Sequence, residues 1–349
     1  MDSIFIRSLK RLPVPRTPAW MMRQAGRYLP EYRSVRAAAG DFLSLCKQPE
    51  LACEVTLQPL RRFSLDAAIL FSDILTIPDA MGLGLSFQEG EGPQFSCPVR
   101  DLSAIKALPI INVQDDLHYV MDAVRLIRAT LDPGMPLIGF SGSPWTLFCY
   151  MVEGRAQHGF KHALRLMYED SEATHLLLSL LADIVTDYLY AQIEAGVNAV
   201  MIFDTWGGLL SRKNYLNCSL DYMQKITRSL KQSFPEVPII LFTKGGGQWL
   251  EPLSQTGCDA LSLDWTCDLS YARSKVGTRV ALQGNLDPTL LLTSAQCIRR
   301  GVQQVLADYG TGSGHVFNLG HGITPDVPID HVHAMLEAVR EYSPIYHDS

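Results

Sequence analysis

The chain has 349 residues, 47% of them hydrophobic, and a formal net charge of -6 at pH 7. This length allows one large core or two ordinary domains, and the composition excludes a disordered chain. The slight acidity gives no support for a nucleic-acid partner, which would require a basic stripe. No apolar run approaches the length of a membrane span, and the N-terminus lacks an export signal. We therefore expect a cytoplasmic protein without a membrane partner.

The cysteine and histidine patterns argue against a metal site. The eight cysteines are scattered, and neither Cys-x-x-Cys nor His-x-Cys occurs. His331 and His333 are two residues apart, so they do not share a helix face. We therefore predict reduced thiols, several of them in the core, and no bound metal.

Short apolar runs, each followed by a polar or glycine-rich turn, recur along the chain. They are residues 67–71, 136–140, 199–203, 238–242, 260–263, 280–283 and 315–319. Continuous apolar runs favour parallel strands that are buried on both faces, so these runs predict seven such strands. An eighth strand is assigned to residues 19–22, unless that segment is irregular.

Helical patterns lie between the predicted strands. Residues 175–194 predict a helix that stops at Gly196, and residues 328–342 predict a second amphipathic helix. Alternating strands and helices over this length favour a single (β/α)8 barrel covering residues 1–349, with a doubly wound open sheet as the competing architecture. The glycine-rich residues 83–99, with Gln88, Glu89 and Gln94, predict a hairpin outside the barrel.

Four arginines lie close together near the N-terminus, at Arg23, Arg27, Arg33 and Arg36. The guanidinium group pairs with carboxylates in a bidentate way. On an acidic protein this cluster is a candidate clamp for a small anion, and a solvated surface turn is the alternative interpretation.

In a barrel of this type the active site lies at the C-terminal ends of the strands. The polar residues there are Asp73, Tyr150, Asp204, Thr205, Lys244, Asp264, Asn285, Asp287 and His321. Asp73 follows an apolar strand, so backbone amides satisfy it or it is held ready for a cationic group. The glycines on both sides of His321 favour a functional role for it. Residues 243–247 lack the P-loop order, which favours a tight turn over a phosphate site.

Six blocks of the sequence, in order from residue 22 to residue 322, resemble the uroporphyrinogen decarboxylase family. They are 22–31 (MRQAGRYLPE), 71–75 (FSDIL), 139–146 (GFSGSPWT), 150–154 (YMVEG), 203–206 (FDTW) and 318–322 (NLGHG). The resemblance implies a (β/α)8 barrel that converts the acetate side chains of uroporphyrinogen to methyls. It implies no cofactor and no metal, and a homodimer as the common assembly.

The resemblance also implies substrate contacts at particular positions of this chain. These are Arg23, Gln24, Ala25, Gly26, Arg27, Arg36, Asp73, Tyr150, Thr205 and His321. The candidate catalytic residues are Asp73, Tyr150, His321 and Arg23. We expect Asp73 to stabilise a protonated pyrrole that serves as the electron sink. The general acid stays open, and Arg23 is interpreted chiefly as a carboxylate clamp.

Two other functions compete with this interpretation. A corrinoid or thiol methyltransferase would share the barrel, but it would use zinc held by histidine and cysteine. A non-catalytic tetrapyrrole carrier would keep the arginines and dispense with Asp73, whose presence in its full motif favours catalysis.

Overall fold

The structure is a computed structural model that describes residues 2–88, 92–155 and 159–347. Its strands in chain order are β1 (Ala68–Ile69), β2 (Leu85–Gln88), β3 (Gly92–Phe95), β4 (Leu137–Gly142), β5 (Ala199–Asp204), β6 (Ile239–Thr243), β7 (Ala260–Ser262), β8 (Ala281–Gln283) and β9 (His315–Val316). Seven of them form a parallel sheet in the order β1-β4-β5-β6-β7-β8-β9. Each of these seven strands lies within or overlaps one of the predicted runs, which confirms the strand predictions.

Residues 18–20 close the sheet between its first and last strands. The Trp20 amide donates to the Phe317 carbonyl (3.3 Å), and the Asp66 amide donates to the Ala19 carbonyl (2.9 Å). Ala19 also forms a parallel bridge with Phe317. The predicted eighth strand is therefore a single bridge at the closing position, and the curled sheet has the (β/α)8 arrangement rather than that of an open doubly wound sheet.

The helices surround this sheet. They are α1 (Ile4–Leu9), α2 (Pro30–Ala38), α3 (Phe42–Cys46), α4 (Pro49–Arg62), α5 (Thr76–Ala80), α6 (Leu102–Lys106), α7 (Val113–Asp116), α8 (His118–Thr130), α9 (Pro144–Glu153), α10 (Lys161–Glu169), α11 (Ser171–Ala195), α12 (Arg212–Tyr215), α13 (Asp221–Ser233), α14 (Leu250–Ser254), α15 (Leu269–Val276), α16 (Ala295–Tyr309) and α17 (Ile329–Tyr342). α11 ends at Gly196, as predicted, and the apolar face of α17 is buried.

The expectation that no apolar segment reaches the length of a membrane span is wrong for α11. Its 25 residues include an 18-residue window with a mean hydropathy of 1.4, which is long and apolar enough to cross a bilayer. Within the fold, 61% of that window is buried. Gln192 of α11 bonds both the amide and the carbonyl of Phe140 in β4 (2.9 and 3.0 Å), so this helix also packs on the barrel wall.

The predicted hairpin is present outside the barrel sheet. Strands β2 and β3 pair in antiparallel register, and the Phe95 amide donates to the Gly154 carbonyl at the end of α9 (2.7 Å). The ring of Phe87 contacts Phe42 of α3, with ring centroids 4.7 Å apart. Glu89 and the side chain of Gln88 lie outside the described residues.

Candidate active site

The predicted site residues follow strands that end at the same mouth of the barrel. Asp73 comes after β1, Tyr150 lies on α9 after β4, and Thr205 follows β5 directly. His321 comes after β9. Since parallel strands present their C-terminal ends on one side, the fold brings these side chains together.

Asp73 is half-buried at this mouth. Among the described residues, its carboxylate has one hydrogen-bond donor, the amide of Leu75 (2.8 Å). Loss of hydration raises the pKa of Asp73 to about 6, although the Leu75 amide and the nearby Arg23 guanidinium favour the charged form. The described residues therefore give Asp73 one backbone amide, which favours the second alternative, a carboxylate with capacity for a further cationic or N–H partner.

Arg23 lies beside Asp73 and His321. Its backbone is in the left-handed region with a φ of 61°. The stem of the side chain packs directly on Gly322, where any Cβ atom would overlap it. The glycine after His321 therefore makes room for the arginine, which gives a physical reason for the Gly-His-Gly sequence.

His321 contacts aromatic rings and lies between cations. Its ring centroid is 6.1 Å from that of Phe242 and 6.4 Å from that of Trp265. Burial, together with the nearby charges of Arg23 and Lys244, lowers the pKa of His321 to about 4, and the Asp264 carboxylate opposes part of that shift. The imidazole is therefore neutral at pH 7.

Tyr150 is buried against the loop that follows β5. Its ring contacts Phe160 and Trp206 at centroid distances of 5.7 and 6.1 Å. Burial raises the pKa of Tyr150 to about 12, so the phenol is neutral. Thr205 precedes Trp206 in this loop and is half-buried.

Asp204 holds the loop of Thr205 in place, a role that the sequence did not reveal. Its fully buried carboxylate accepts from the hydroxyls of Ser143 (2.7 Å) and Ser219 (2.9 Å). Thr243 (3.1 Å) and Thr146 (3.4 Å) donate to it as well. Burial raises the pKa of Asp204 to about 6, and the four hydroxyls oppose that rise.

The neighbouring hydroxyls are committed to this network. Tyr215 lies 2.9 Å from the Thr243 hydroxyl and must donate to it, since Thr243 already donates to Asp204. Ser143 accepts from the Thr146 amide (3.0 Å) at the start of α9, the helix that carries Tyr150. One carboxylate therefore connects β5 and β6 with the loop and helix that carry two site residues.

The four arginines of the N-terminal cluster have different roles. Arg33 donates to the carbonyls of Arg27 (2.7 Å) and Tyr28 (3.3 Å), so it braces the turn. Arg36 lies over the ring of Phe42, 5.9 Å from its centroid. Within residues 2–88, 92–155 and 159–347, no carboxylate forms an ion pair with Arg23, Arg27 or Arg36.

The remaining residues of that motif support the turn. The Gln24 side chain is buried, accepts from the Met21 amide (3.3 Å) and donates to the Ala67 carbonyl (3.2 Å). Ala25 and Gly26 are half-buried, and the Gly26 carbonyl accepts from the Leu29 amide (3.0 Å). The predicted substrate contacts at Gln24, Ala25 and Gly26 stay predictions, and the Gln24 side chain has a structural role.

Several other polar residues at strand ends are structural. Asp264 accepts from the Gly245 amide and from Thr266, and Asn285 donates to the carbonyls of Asp264 (2.8 Å) and Cys267 (2.7 Å). Asp287 caps the 3-10 turn that follows β8. Gly245 has a φ of 73°, in agreement with the predicted tight turn at residues 243–247.

The eight cysteines are free, and six of them are buried. His331 lies 2.7 Å from the Leu291 carbonyl, and His333 packs on Phe63. No group of three potential metal-ligating side chains occurs in residues 2–88, 92–155 and 159–347.

The fold and the site together define a (β/α)8-barrel enzyme whose mouth presents several cations around one partly buried carboxylate. The family model for uroporphyrinogen decarboxylase matches residues 2–342. The chain is 66% identical over 346 residues to a uroporphyrinogen decarboxylase of Legionella pneumophila strain Lens, covering 99% of this chain and 98% of that protein. It is 59% identical over 347 residues to that of Idiomarina loihiensis, covering 99% and 97%. The chain therefore belongs to the uroporphyrinogen decarboxylase family.

A solved structure supports the fold assignment. A methyltransferase from Methanosarcina mazei superposes with a TM-score of 0.82 at 20% sequence identity, covering 98% of this chain and 99% of that chain. At this identity the likeness shows the fold alone. Because the two proteins share a fold, the fold by itself does not separate a decarboxylase from a methyltransferase.

Proposed function

We propose that this protein removes the carboxyl groups of the acetate side chains of uroporphyrinogen, giving coproporphyrinogen and CO2 in porphyrin and haem biosynthesis. The observation that carries the proposal is the Asp73 carboxylate, which lies at the barrel mouth with one hydrogen-bond donor and a pKa raised to about 6. A carboxylate in this state is suited to pair with pyrrole N–H groups and with positive charge that develops on them.

The proposed mechanism uses the substrate as its own electron sink. Protonation of a pyrrole carbon makes the ring cationic, and the bond between the acetate methylene and its carboxylate then breaks. The electron pair of that bond neutralises the ring, and CO2 leaves. The methylene carbon takes up a proton and the ring carbon loses one, so each acetate consumes one proton and becomes a methyl. Asp73 stabilises the cationic ring where its charge develops.

The other site residues bind and orient the substrate in this proposal. Arg23, Arg27 and Arg36 offer guanidinium groups without carboxylate partners in the described chain, and the substrate is a polycarboxylate. Of Asp73, Tyr150 and His321, only Asp73 has a pKa near neutrality. Tyr150 and His321 therefore act as neutral hydrogen-bonding groups at pH 7, and the general acid stays open.

Two alternative functions are separable by experiment. A zinc-dependent methyltransferase would copurify with stoichiometric zinc, and a carrier would bind uroporphyrinogen without changing it. Mass spectrometry of the porphyrins formed from uroporphyrinogen distinguishes them, because a decarboxylase releases CO2 stepwise. Unchanged substrate after prolonged incubation would contradict the proposed activity.

We also propose one domain, a homodimeric assembly and a cytoplasmic location, without nucleic-acid or membrane partners. The support is the family membership, which covers residues 2–342. Light scattering behind a sizing column tests the assembly. A mass of one chain at micromolar concentration would contradict the homodimer.

Arg27→Ala is expected to weaken substrate binding with little effect on stability. Arg27 is exposed, and the described residues give its guanidinium no partner, so the loss is that of one charge-assisted contact, roughly tenfold in KM. Arg228→Ala on α13 is the matched control, since Arg228 is also exposed. If the melting temperature of Arg27→Ala falls while KM is unchanged, Arg27 is structural.

The pH profile of kcat/KM is expected to report Asp73. The raised pKa of about 6 means that the charged carboxylate is lost as the pH falls through that value. The rate should therefore be level above this pH and fall about tenfold per unit below it. Melting temperatures measured over the same pH range show whether the loss of rate at low pH comes from the titration of Asp73 or from unfolding of the protein. A flat profile between pH 5 and pH 7 would contradict a role for the ionised form.

A further inference from the structure

Lys244 stands at the barrel mouth, yet the family resemblance implies no role for it. It follows β6 directly, and its amide donates to the Asp204 carbonyl (3.2 Å). Gly208 packs against the Lys244 carbonyl so closely that a Cβ atom there would overlap it. The backbone of Lys244 is therefore fixed at the point where β5 and β6 end.

The ammonium group of Lys244 contacts an aromatic ring. It lies 6.0 Å from the centroid of the half-exposed Trp265, whose ring contacts His321 at 6.4 Å. No carboxylate of the described residues forms an ion pair with Lys244. The carboxylate of Asp264, which follows β7 at the same mouth, accepts hydrogen bonds from the Gly245 amide and from Thr266.

A second cation, Arg23, is also close to His321. The charges of both Arg23 and Lys244 depress the pKa of His321, and the Arg23 stem packs on Gly322. Two cations that form no ion pair within the described residues thus lie near a neutral imidazole that is able to donate an N–H. In a protein of net charge -6, this local positive potential is suited to an anion that the protein itself does not supply.

We propose that Lys244 forms, with Arg23 and His321, a subsite for one carboxylate side chain of the substrate. The inference rests on the proposed function, which supplies a polycarboxylate as ligand. Lys244 contributes a point charge from the side opposite the arginine turn, while the arginine provides directional donors. In this proposal the tight turn at residues 243–247 positions Lys244 to bind a carboxylate of the substrate, and the loop is not a phosphate site.

The test compares three variants of the full chain. Lys244→Met removes the charge and keeps the length of the side chain, and Lys244→Arg keeps the charge. The matched control is Lys275→Met on α15, because the Lys275 ammonium also lies over a ring, 5.5 Å from the centroid of Tyr271. Each variant is measured for binding of the octacarboxylate uroporphyrin by its fluorescence, for KM and kcat with uroporphyrinogen, and for melting temperature.

Lys244→Met should weaken uroporphyrin binding and raise KM roughly tenfold, with kcat and the melting temperature nearly unchanged. Lys244→Arg should recover most of the affinity, and Lys275→Met should match the native protein. Affinity of Lys244→Met within about twofold of the native protein would overturn the subsite, since an exposed charge contributes that little. Native protein that binds uroporphyrin without decarboxylating uroporphyrinogen would overturn the proposed function. The affinity of Lys244→Met for uroporphyrin would then still decide the subsite by the same twofold criterion. Native protein that binds neither would overturn both.

Discussion

Asp73→Asn is expected to leave the fold intact and to reduce kcat by about two to three orders of magnitude. The amide has the shape of the carboxylate and still accepts from the Leu75 amide (2.8 Å in the native chain). It carries no charge, so it does not stabilise a cationic pyrrole. The proposed substrate contacts of Arg23, Tyr150 and His321 are unaltered, so we expect binding to survive.

The stability of this variant should not fall. Because burial raises the pKa of Asp73 to about 6, the ionised carboxylate is disfavoured in the folded state relative to water. A neutral isostere removes that cost, and the melting temperature should stay level or rise. Tyr150→Phe is a useful comparison, since it alters a neutral neighbour. An Asp73→Asn enzyme with near-native turnover would contradict the electrostatic role of Asp73.

Asp204→Leu is expected to be the most destabilising substitution at the site. The variant leaves the hydroxyls of Ser143, Ser219 and Thr243 buried without their acceptor. An unsatisfied buried polar group costs about 1–3 kcal/mol, so we expect a loss of about 3–6 kcal/mol in the free energy of unfolding. Urea denaturation followed by circular dichroism measures this loss.

Two milder variants control for the effect of Asp204. Ser219→Ala removes one donor and should cost only about 1 kcal/mol. Asp204→Asn keeps the volume but turns an amide N–H₂ toward hydroxyls that already donate, so its cost should lie between the other two. If Asp204→Leu unfolds at the same urea concentration as the native protein, the hydroxyl network does not stabilise the fold.

The sequence predicted the barrel well because its strands are continuous apolar runs. The seven strands and the stop of α11 at Gly196 follow from local patterns that tertiary contacts reinforce. The eighth strand was harder to predict, since residues 18–20 make bridge contacts rather than a ladder. The apolar length of α11 was missed because scattered polar residues interrupt it, while its mean hydropathy over 18 residues is still 1.4.

The site was only partly predictable. Sequence placed Asp73, Tyr150, Thr205 and His321 at strand ends, and the fold brings those ends together. It did not separate Arg33, which braces the turn through backbone carbonyls, from Arg23 and Arg27, whose guanidinium groups form no hydrogen bond within the described residues. It also gave no signal for the Asp204 network, because Ser143, Ser219 and Thr243 come from separate elements that are far apart in the chain.

The most direct test of this account is a single anaerobic experiment with EDTA-treated native protein and Asp73→Asn. Each is incubated with uroporphyrinogen, the products are oxidised, and the porphyrins are separated by chromatography. With the native protein we predict stepwise loss of carboxyl groups to coproporphyrin. With Asp73→Asn we predict tight binding and a first decarboxylation that is slower by a factor of about one hundred or more. A native protein that leaves uroporphyrinogen unchanged, or an Asp73→Asn variant that converts it at the native rate, would contradict the account.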